Sequence, residues 1–215
     1  FAEAWAVLEK YGLVASLHPA VAAHLQRGLA GHEPETLKAP EATFAQHATV
    51  LLGSNEEALA AAAATAQRYG LEPRVLTRAL GGEAGAAAAA FVAALREAPP
   101  GACLLMGGEA TVRAQGRGQG GRCQHFALAA LALLAPGERL LVLSGGTDGT
   151  DGPTGAAGAW ADGALAAQAR QAGLDAAAYL ARTDSYGFFS AMGSGHLHTG
   201  PTGTNVMDIH MGIKY

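Results

Sequence analysis

The stretch ATVLLGSNEEALAAAAATAQRYG, residues 48–70, decides the fold class. It opens on an apolar run of strand length, 48–53. Ser54 follows, with Glu57 three residues on, the arrangement in which a serine hydroxyl and a glutamate close a helix start reciprocally. The helix opened there runs to Tyr69, and Gly70 supplies its stop. A second strand at 74–79, a Gly81-Gly82 turn, an alanine-rich helix to Glu97 and the break Pro99-Pro100-Gly101 repeat the order. Strand and helix in alternation predict an α/β fold with a parallel sheet covered by helices.

Upstream, residues 1–30 carry Ala, Leu and Val at helical spacing, and 31–43 form a polar, proline-bearing connector. The chain opens on Phe1, inside an expected helix and with no initiator Met, so it reads as a fragment whose N-terminal partner domain is missing. Downstream the order is strand 103–106, the turn Gly107-Gly108-Glu109, strand 111–115, loop 116–121, helix 122–134 and strand 140–144. A glycine-rich loop (145–158), helical segments to about residue 192, a loop at 199–205 and a last strand at 206–213 complete it. A domain boundary is expected near 99–101, dividing the chain into 1–100 and 101–215.

Composition removes several classes. The chain has 215 residues, 50% hydrophobic and 15% charged, enough for one core and part of a second. Its 30 glycines cluster between apolar runs, which excludes a collagen repeat and sustained heptads. The longest apolar stretches, 86–95 and 127–135, are about half the ~20 residues of a membrane span, so no membrane partner is expected. Net charge is -4 with no basic block, so nucleic acid is not an expected partner either. Cys103 and Cys123 form no CxxC and no metal spacing, and read as two buried thiols in a reducing, cytoplasmic setting.

Residues 116–121, Gly-Arg-Gly-Gln-Gly-Gly, contain a literal GxGxxG between an expected strand and an expected helix. A dinucleotide site also needs an acid at the end of the next strand; Glu138 precedes that strand and Asp148 lies too far beyond it. An anion-binding loop is the better reading, with N–H groups at Gly120 and Gly121 and the flanking Arg117 and Arg122; a plain strand-to-helix turn stays open. None of the three lysines, Lys10, Lys38 and Lys214, follows a glycine loop, so there is no GxxxxGK[ST] cradle. Residues 144–154, SGGTDGTDGPT, leave the end of an apolar strand, where open α/β sheets place ligands. There Asp148 and Asp151, among Ser144, Thr147 and Gly149, suit Mg²⁺ shared with phosphate oxygens; aspartates capping their own turn are the alternative. Thr202 and Asn205 lie in a second hydroxyl-rich glycine loop, 200–205, and Gly107-Gly108-Glu109 forms a third. His196 and His198 lack a third metal ligand at fitting spacing, and no GxSxG or HExxH occurs.

Together GGEATV (107–112), GQGGRCQ (118–124), SGGTDGTDGPTGAAGA (144–159) and FFSAMG followed by TGPTGTNV (188–206) resemble the C-terminal half of the glycerate 2-kinase family. These are the MOFRL domain proteins often labelled hydroxypyruvate reductases. The resemblance implies a transferase: an ATP-binding, magnesium-dependent kinase phosphorylating D-glycerate at its 2-hydroxyl between two α/β domains. Residues 1–100 would be the end of a Rossmann-like domain and 101–215 a MOFRL-like α/β domain. It further implies that Arg122 binds the substrate carboxylate or transferring phosphate, and that Asp148 and Asp151 serve metal or hydroxyl activation. Glu109, Thr111, Gln124, Thr147, Thr202 and Asn205 would line the cleft. The chain departs from the family pattern at Arg117, Gln119, Cys123, His125 and Gly155. Without the family's N-terminal segment this chain is expected to be inactive alone. An NAD(P)H-dependent hydroxypyruvate reductase and a ligand-binding or regulatory module are the other readings, and a homodimer is left open.

Overall fold

The computed structural model describes residues 1–38, 44 and 47–215. The chain divides into two compact units, Phe1–Val50 and Leu51–Tyr215. The first holds helices α1 (Ala2–Lys10) and α2 (Pro19–Leu29), joined through a short 3₁₀ turn at Val14–Ser16. Helix α2 starts at Pro19, whose fixed φ suits a first helical position, and the His18 ring accepts from the Ala20 N–H at 3.3 Å. Neither helix has a fully buried residue. The helical reading of residues 1–30 is matched.

The expected strand at 48–53 is absent: residues 47–54 have no regular structure, and Val50, Leu51 and Leu52 are 73%, 79% and 93% exposed. An apolar run becomes a strand only when a neighbour accepts and donates its ladder hydrogen bonds. The helix start behind it forms as expected. Ser54 Oγ accepts from the Glu57 N–H at 3.4 Å and donates to the Glu57 carboxylate at 3.2 Å, opening α3 (Asn55–Arg68). Gly70 ends it at φ +76°.

Six strands then build one sheet: β1 (Glu72–Leu80), β2 (Ala102–Gly108), β3 (Leu140–Gly146), β4 (Gly158–Asp162), β5 (His196–Leu197) and β6 (Asp208–Lys214), in the order β1-β2-β6-β3-β4-β5. Strands β1 and β2 pair in parallel through α4 (Ala84–Glu97), the expected βαβ unit. The rest of the sheet departs from the parallel expectation, because β6 inserts antiparallel between β2 and β3, and β4 and β5 add antiparallel beyond β3. Apolar periodicity reports which face of a strand is buried, and pairing direction is set by the path of the chain. Residues on either side of 99–101 share this sheet, with Glu72 opposite Ala102 and Leu80 opposite Gly108. The expected strand 111–115 reduces to one bridge, Thr111 with Glu83.

One face of the sheet is covered by α4, α5 (Arg122–Leu133), α6 (Gly163–Gln171) and α8 (Ser185–Met192), with Phe91, Leu95, Phe126, Leu128, Val142 and Phe188 in its core. A short helix α7 (Ala176–Ala181) flanks α5 and α8. Nine consecutive residues of α5, Cys123–Leu131, are buried, which makes it the central helix. On the opposite face α3 packs Leu59 and Ala66 against Cys103 and Leu105. Both cysteines are free and buried, and burial raises both thiol pKa values. Among the described residues no helix is long and apolar enough to cross a membrane.

Candidate active site

Because β6 runs against its neighbours, one edge of the sheet collects the ends of β2 and β3 and the beginning of β6, with Asp208 opposite both Gly108 and Gly146. Helix α5 begins beside the same edge, after the 116–121 loop. Its first residue, Arg122, turns its guanidinium to two acids. Nε and Nη2 donate to the two Asp208 carboxylate oxygens at 2.6 and 2.9 Å, and Nη1 lies 2.9 Å from the Glu109 carboxylate. Asp208 is fully buried, whereas the Glu109 side chain is 52% exposed. Burial raises the Asp208 pKa against the pull of Arg122, and the Asp208 contact holds Arg122 still more firmly protonated.

Asp151 lies elsewhere than the motif suggests. It is buried, and its carboxylate accepts from the Cys123 and Gln124 N–H groups at 3.0 and 2.8 Å and from the Gln124 amide at 3.0 Å. The loop acid thus caps α5, where Gly121 has no side chain to offer and a negative charge meets the positive end of the helix. A Cβ at Gly121 would run into this carboxylate. The Cys123 and Gln124 N–H groups at the α5 start are therefore taken by the protein's own carboxylate, and Gln124 is fully buried in holding it. Glycines 118 and 120 have a related cause: a Cβ at either would collide with residues 182–185, and the Gln119 N–H donates to Asp184 at 3.1 Å. The GxGxxG spacing reflects close packing of this turn on the α8 start.

Glu109, Thr111, Gly120, Gly121 and Arg122 line one open cavity of about 580 Å³, together with His125, Thr183 and Ser185. His125 is nearly buried; burial lowers its pKa while Glu83, 4.0 Å away, opposes the shift. Thr183 adopts φ +52°, uncommon for a β-branched residue, and its hydroxyl is held between the Gln115 N–H (2.9 Å) and carbonyl (2.6 Å). Gly107 and Gly108 stand behind this wall. The Asn55 side chain fills the space a Gly107 Cβ would need, and Gly108, at φ +135°, lies against the Leu80 backbone. Ser144 is fully buried on β3.

A second group, whose residues do not line this cavity, forms a separate rim where loops 147–150 and 199–206 meet. The Thr202 hydroxyl donates to the Thr147 carbonyl at 2.6 Å, the Thr147 hydroxyl to the Met207 carbonyl at 2.7 Å, and Asn205 approaches Asp148 Oδ2 at 3.4 Å. Gly149, at φ +86°, packs against the Gly200 carbonyl. The loops 147–150 and 199–206 are thereby tied to each other. The rim and the Arg122 wall meet at Gly146, where a Cβ would sit 3.1 Å from Asp148 Oδ1 and 3.6 Å from Asp208 Oδ1.

For Mg²⁺ the donor set divides. Asp148 Oδ1 accepts one backbone N–H and Oδ2 has only the long Asn205 contact, so this carboxylate fits an ion whose other ligands are water and phosphate oxygens. Asp151, saturated by the helix start, does not fit. Among the described residues no group of three His, Cys, Asp or Glu side chains could hold a metal by itself. Asp208 and Asn55 were not singled out as site residues: Asp208 is a lone acid between Met207 and Ile209, Asn55 lies inside the polar helix start 54–57, and only the chain path brings them to the site. An acid inside an otherwise apolar last strand was the one available signal for Asp208.

Residues 102–208 match the MOFRL family. The chain is 34% identical to a glycerate kinase from Danio rerio over 97% of this chain and 51% of that protein. It is 37% identical to a glycerate 2-kinase from Pyrococcus horikoshii over 99% of this chain and 49% of that protein. A crystal structure of glycerate kinase from Thermotoga maritima superposes with a TM-score of 0.76 at 34% identity, over 100% of this chain and 50% of that one. The chain spans about half the length of the relatives it matches.

Proposed function

The chain belongs to the glycerate 2-kinase family, whose members carry the MOFRL domain, and from that premise we propose that it supplies the anion-binding wall for ATP-dependent phosphorylation of D-glycerate at its 2-hydroxyl. The observation that carries this reading is Arg122, held at the cavity mouth with one guanidinium edge bound to buried Asp208 and Nη1 directed to exposed Glu109. A fixed, permanently charged fork suits a carboxylate or phosphate, and phosphoryl transfer draws most of its acceleration from positioning and charge neutralisation.

In this reading Arg122 binds the substrate carboxylate or the transferring phosphate, and the Thr111 and Ser185 region shapes the cavity for a small polar substrate. Asp148 is the residue assigned to Mg²⁺, which when bound would neutralise phosphate charge. Thr147, Thr202 and Asn205 hold the Asp148 loop in place. Asp151 acts by fixing the helix start from which Arg122 projects. A reductase is less well supported, because the turn that would cradle a dinucleotide already takes an internal carboxylate.

The test is a coupled ADP assay on the complete protein with ATP, Mg²⁺ and, in turn, glycerate, hydroxypyruvate and tartronate, with the product position read by phosphorus NMR. ADP formation with glycerate and a 2-phosphate product is expected; no ADP with glycerate overturns the proposal. The same assay on this chain alone is expected to give no turnover.

A further inference from the structure

We infer that Asp208 is the positioning residue of the site: it sets the direction of the Arg122 guanidinium, while Glu109 holds the edge that an anionic substrate group takes. The inference rests on the proposed kinase reading only for the identity of that anion.

Three observations carry it. First, the contact is bidentate and asymmetric in burial. Both Asp208 oxygens, out of reach of water, hold Nε and Nη2, and the third nitrogen is left to an exposed acid. Second, Asp208 is fixed more heavily than a strand residue requires. Its backbone pairs with Gly108 on one side and Gly146 on the other, and the Asn55 amide donates to the Val206 and Asp208 carbonyls at 2.8 and 3.1 Å. Met207, immediately before it, is held at φ +68°, with its N–H on Asn205 (2.9 Å) and its carbonyl accepting from Thr147. A non-glycine residue kept in the left-handed region by its surroundings is the kind of local strain that accompanies pre-organised sites. Third, the pair joins a fully buried carboxylate to a side chain that is 32% exposed; taking Asp208 out of water offsets much of the attraction, which leaves geometry as the gain we assign to the contact. Arg122, at a helix start with four rotatable bonds, would otherwise sample several directions; two parallel hydrogen bonds leave it one.

The experiment uses the complete protein with four variants: Asp208→Asn, Arg122→Ala, the double variant, and Arg122→Lys. Two readouts are taken, kcat and KM for ATP-dependent turnover of glycerate, and affinity for inorganic phosphate by calorimetry. Asp208→Asn is expected to lower kcat/KM by about 30- to 100-fold and to weaken phosphate binding by about tenfold, yet to cause less than about a twofold further loss when Arg122 is already Ala. Arg122→Lys, which keeps the charge and loses the fork, should fall as far as Asp208→Asn. Equal losses from Asp208→Asn in both backgrounds would show a role independent of Arg122 and overturn the inference, as would wild-type behaviour of Asp208→Asn. If Asp208→Asn does not fold, Arg122→Lys decides, and unchanged kcat/KM there overturns the inference. If the unaltered protein forms no ADP from glycerate, the kinase reading fails by itself, and the phosphate affinities still report on Asp208.

Discussion

The wall at the start of α5 and the rim formed by loops 147–150 and 199–206 each carry a carboxylate from one eleven-residue motif, and they treat it in opposite ways. On the wall, Asp151 is buried and its oxygens accept three donors; on the rim, Asp148 is half-buried with one oxygen meeting only a long amide contact. Two acids three positions apart are therefore an internal helix cap and an acid left open on the rim. Motif spacing reports the chemistry a loop carries, while burial decides which copy of that chemistry stays open to an outside partner.

Four measurements would break or sharpen this contrast. The largest effect should come from Asp151→Ala, which strips the buried α5 N–H groups and the Gln124 amide of their acceptor. A loss of about 4 kcal/mol in urea unfolding is expected, and a loss below about 1 kcal/mol would remove the structural role. Next is acid. His210 is fully buried beside the Phe126 ring, and burial, with Arg122 adding to it, lowers its pKa to about 4. The unfolded chain binds this proton below its ordinary value near 6.5 and the folded chain does not until about pH 4. The His210 share of stability should thus fall by on the order of 3 kcal/mol as pH drops through that window, and His210→Leu should remove that share while leaving the smaller slope from His125, whose pKa burial also lowers. Third, Asp148→Asn in the complete protein should lower kcat about 100-fold, equivalent to about 2.7 kcal/mol, with a smaller change in KM for glycerate and a stability change within about 0.5 kcal/mol. A variant with parental kcat would take Asp148 out of the chemistry. The smallest effect should be Glu109→Gln: as an exposed acid it should change stability by less than about 0.5 kcal/mol. Releasing the Arg122 edge should also lower KM for glycerate two- to fivefold, and a raised KM would assign Glu109 to substrate binding.

What the amino-acid order made legible was local. Ser54 with Glu57, Gly70 past the helix end, and the strand–helix–strand run to residue 108 all depend on neighbours a few positions away, and they appear where expected. What stayed hidden depends on distant partners. The run at 48–53 has strand composition and no ladder to join. Strand β4, GAWAD, is too short and small to announce itself, and the antiparallel entry of β6 leaves no mark in its alternation. Asp208, the acid closest to Arg122, was hidden for the same reason: its importance comes from β2 and β3 on either side of it. The glycines at 118–121 were legible as close approach, but the thing approached is the turn at 182–185 and the Asp151 carboxylate rather than a ligand.

The place of β6 also dictates an order of assembly. It follows every one of its sheet neighbours in the chain, yet it stands between β2 and β3 and joins them. Until residues 208–214 have been synthesised, the β1–β2 pair and the β3–β4 hairpin each present an open, apolar edge with no strand between them. Closing that gap requires contacts of long sequence separation, which form slowly and leave aggregation-prone edges exposed meanwhile. The same step delivers Asp208 to Arg122, so the geometry of the candidate site and the completed sheet arise in a single late event, and a chain stalled before it would have neither.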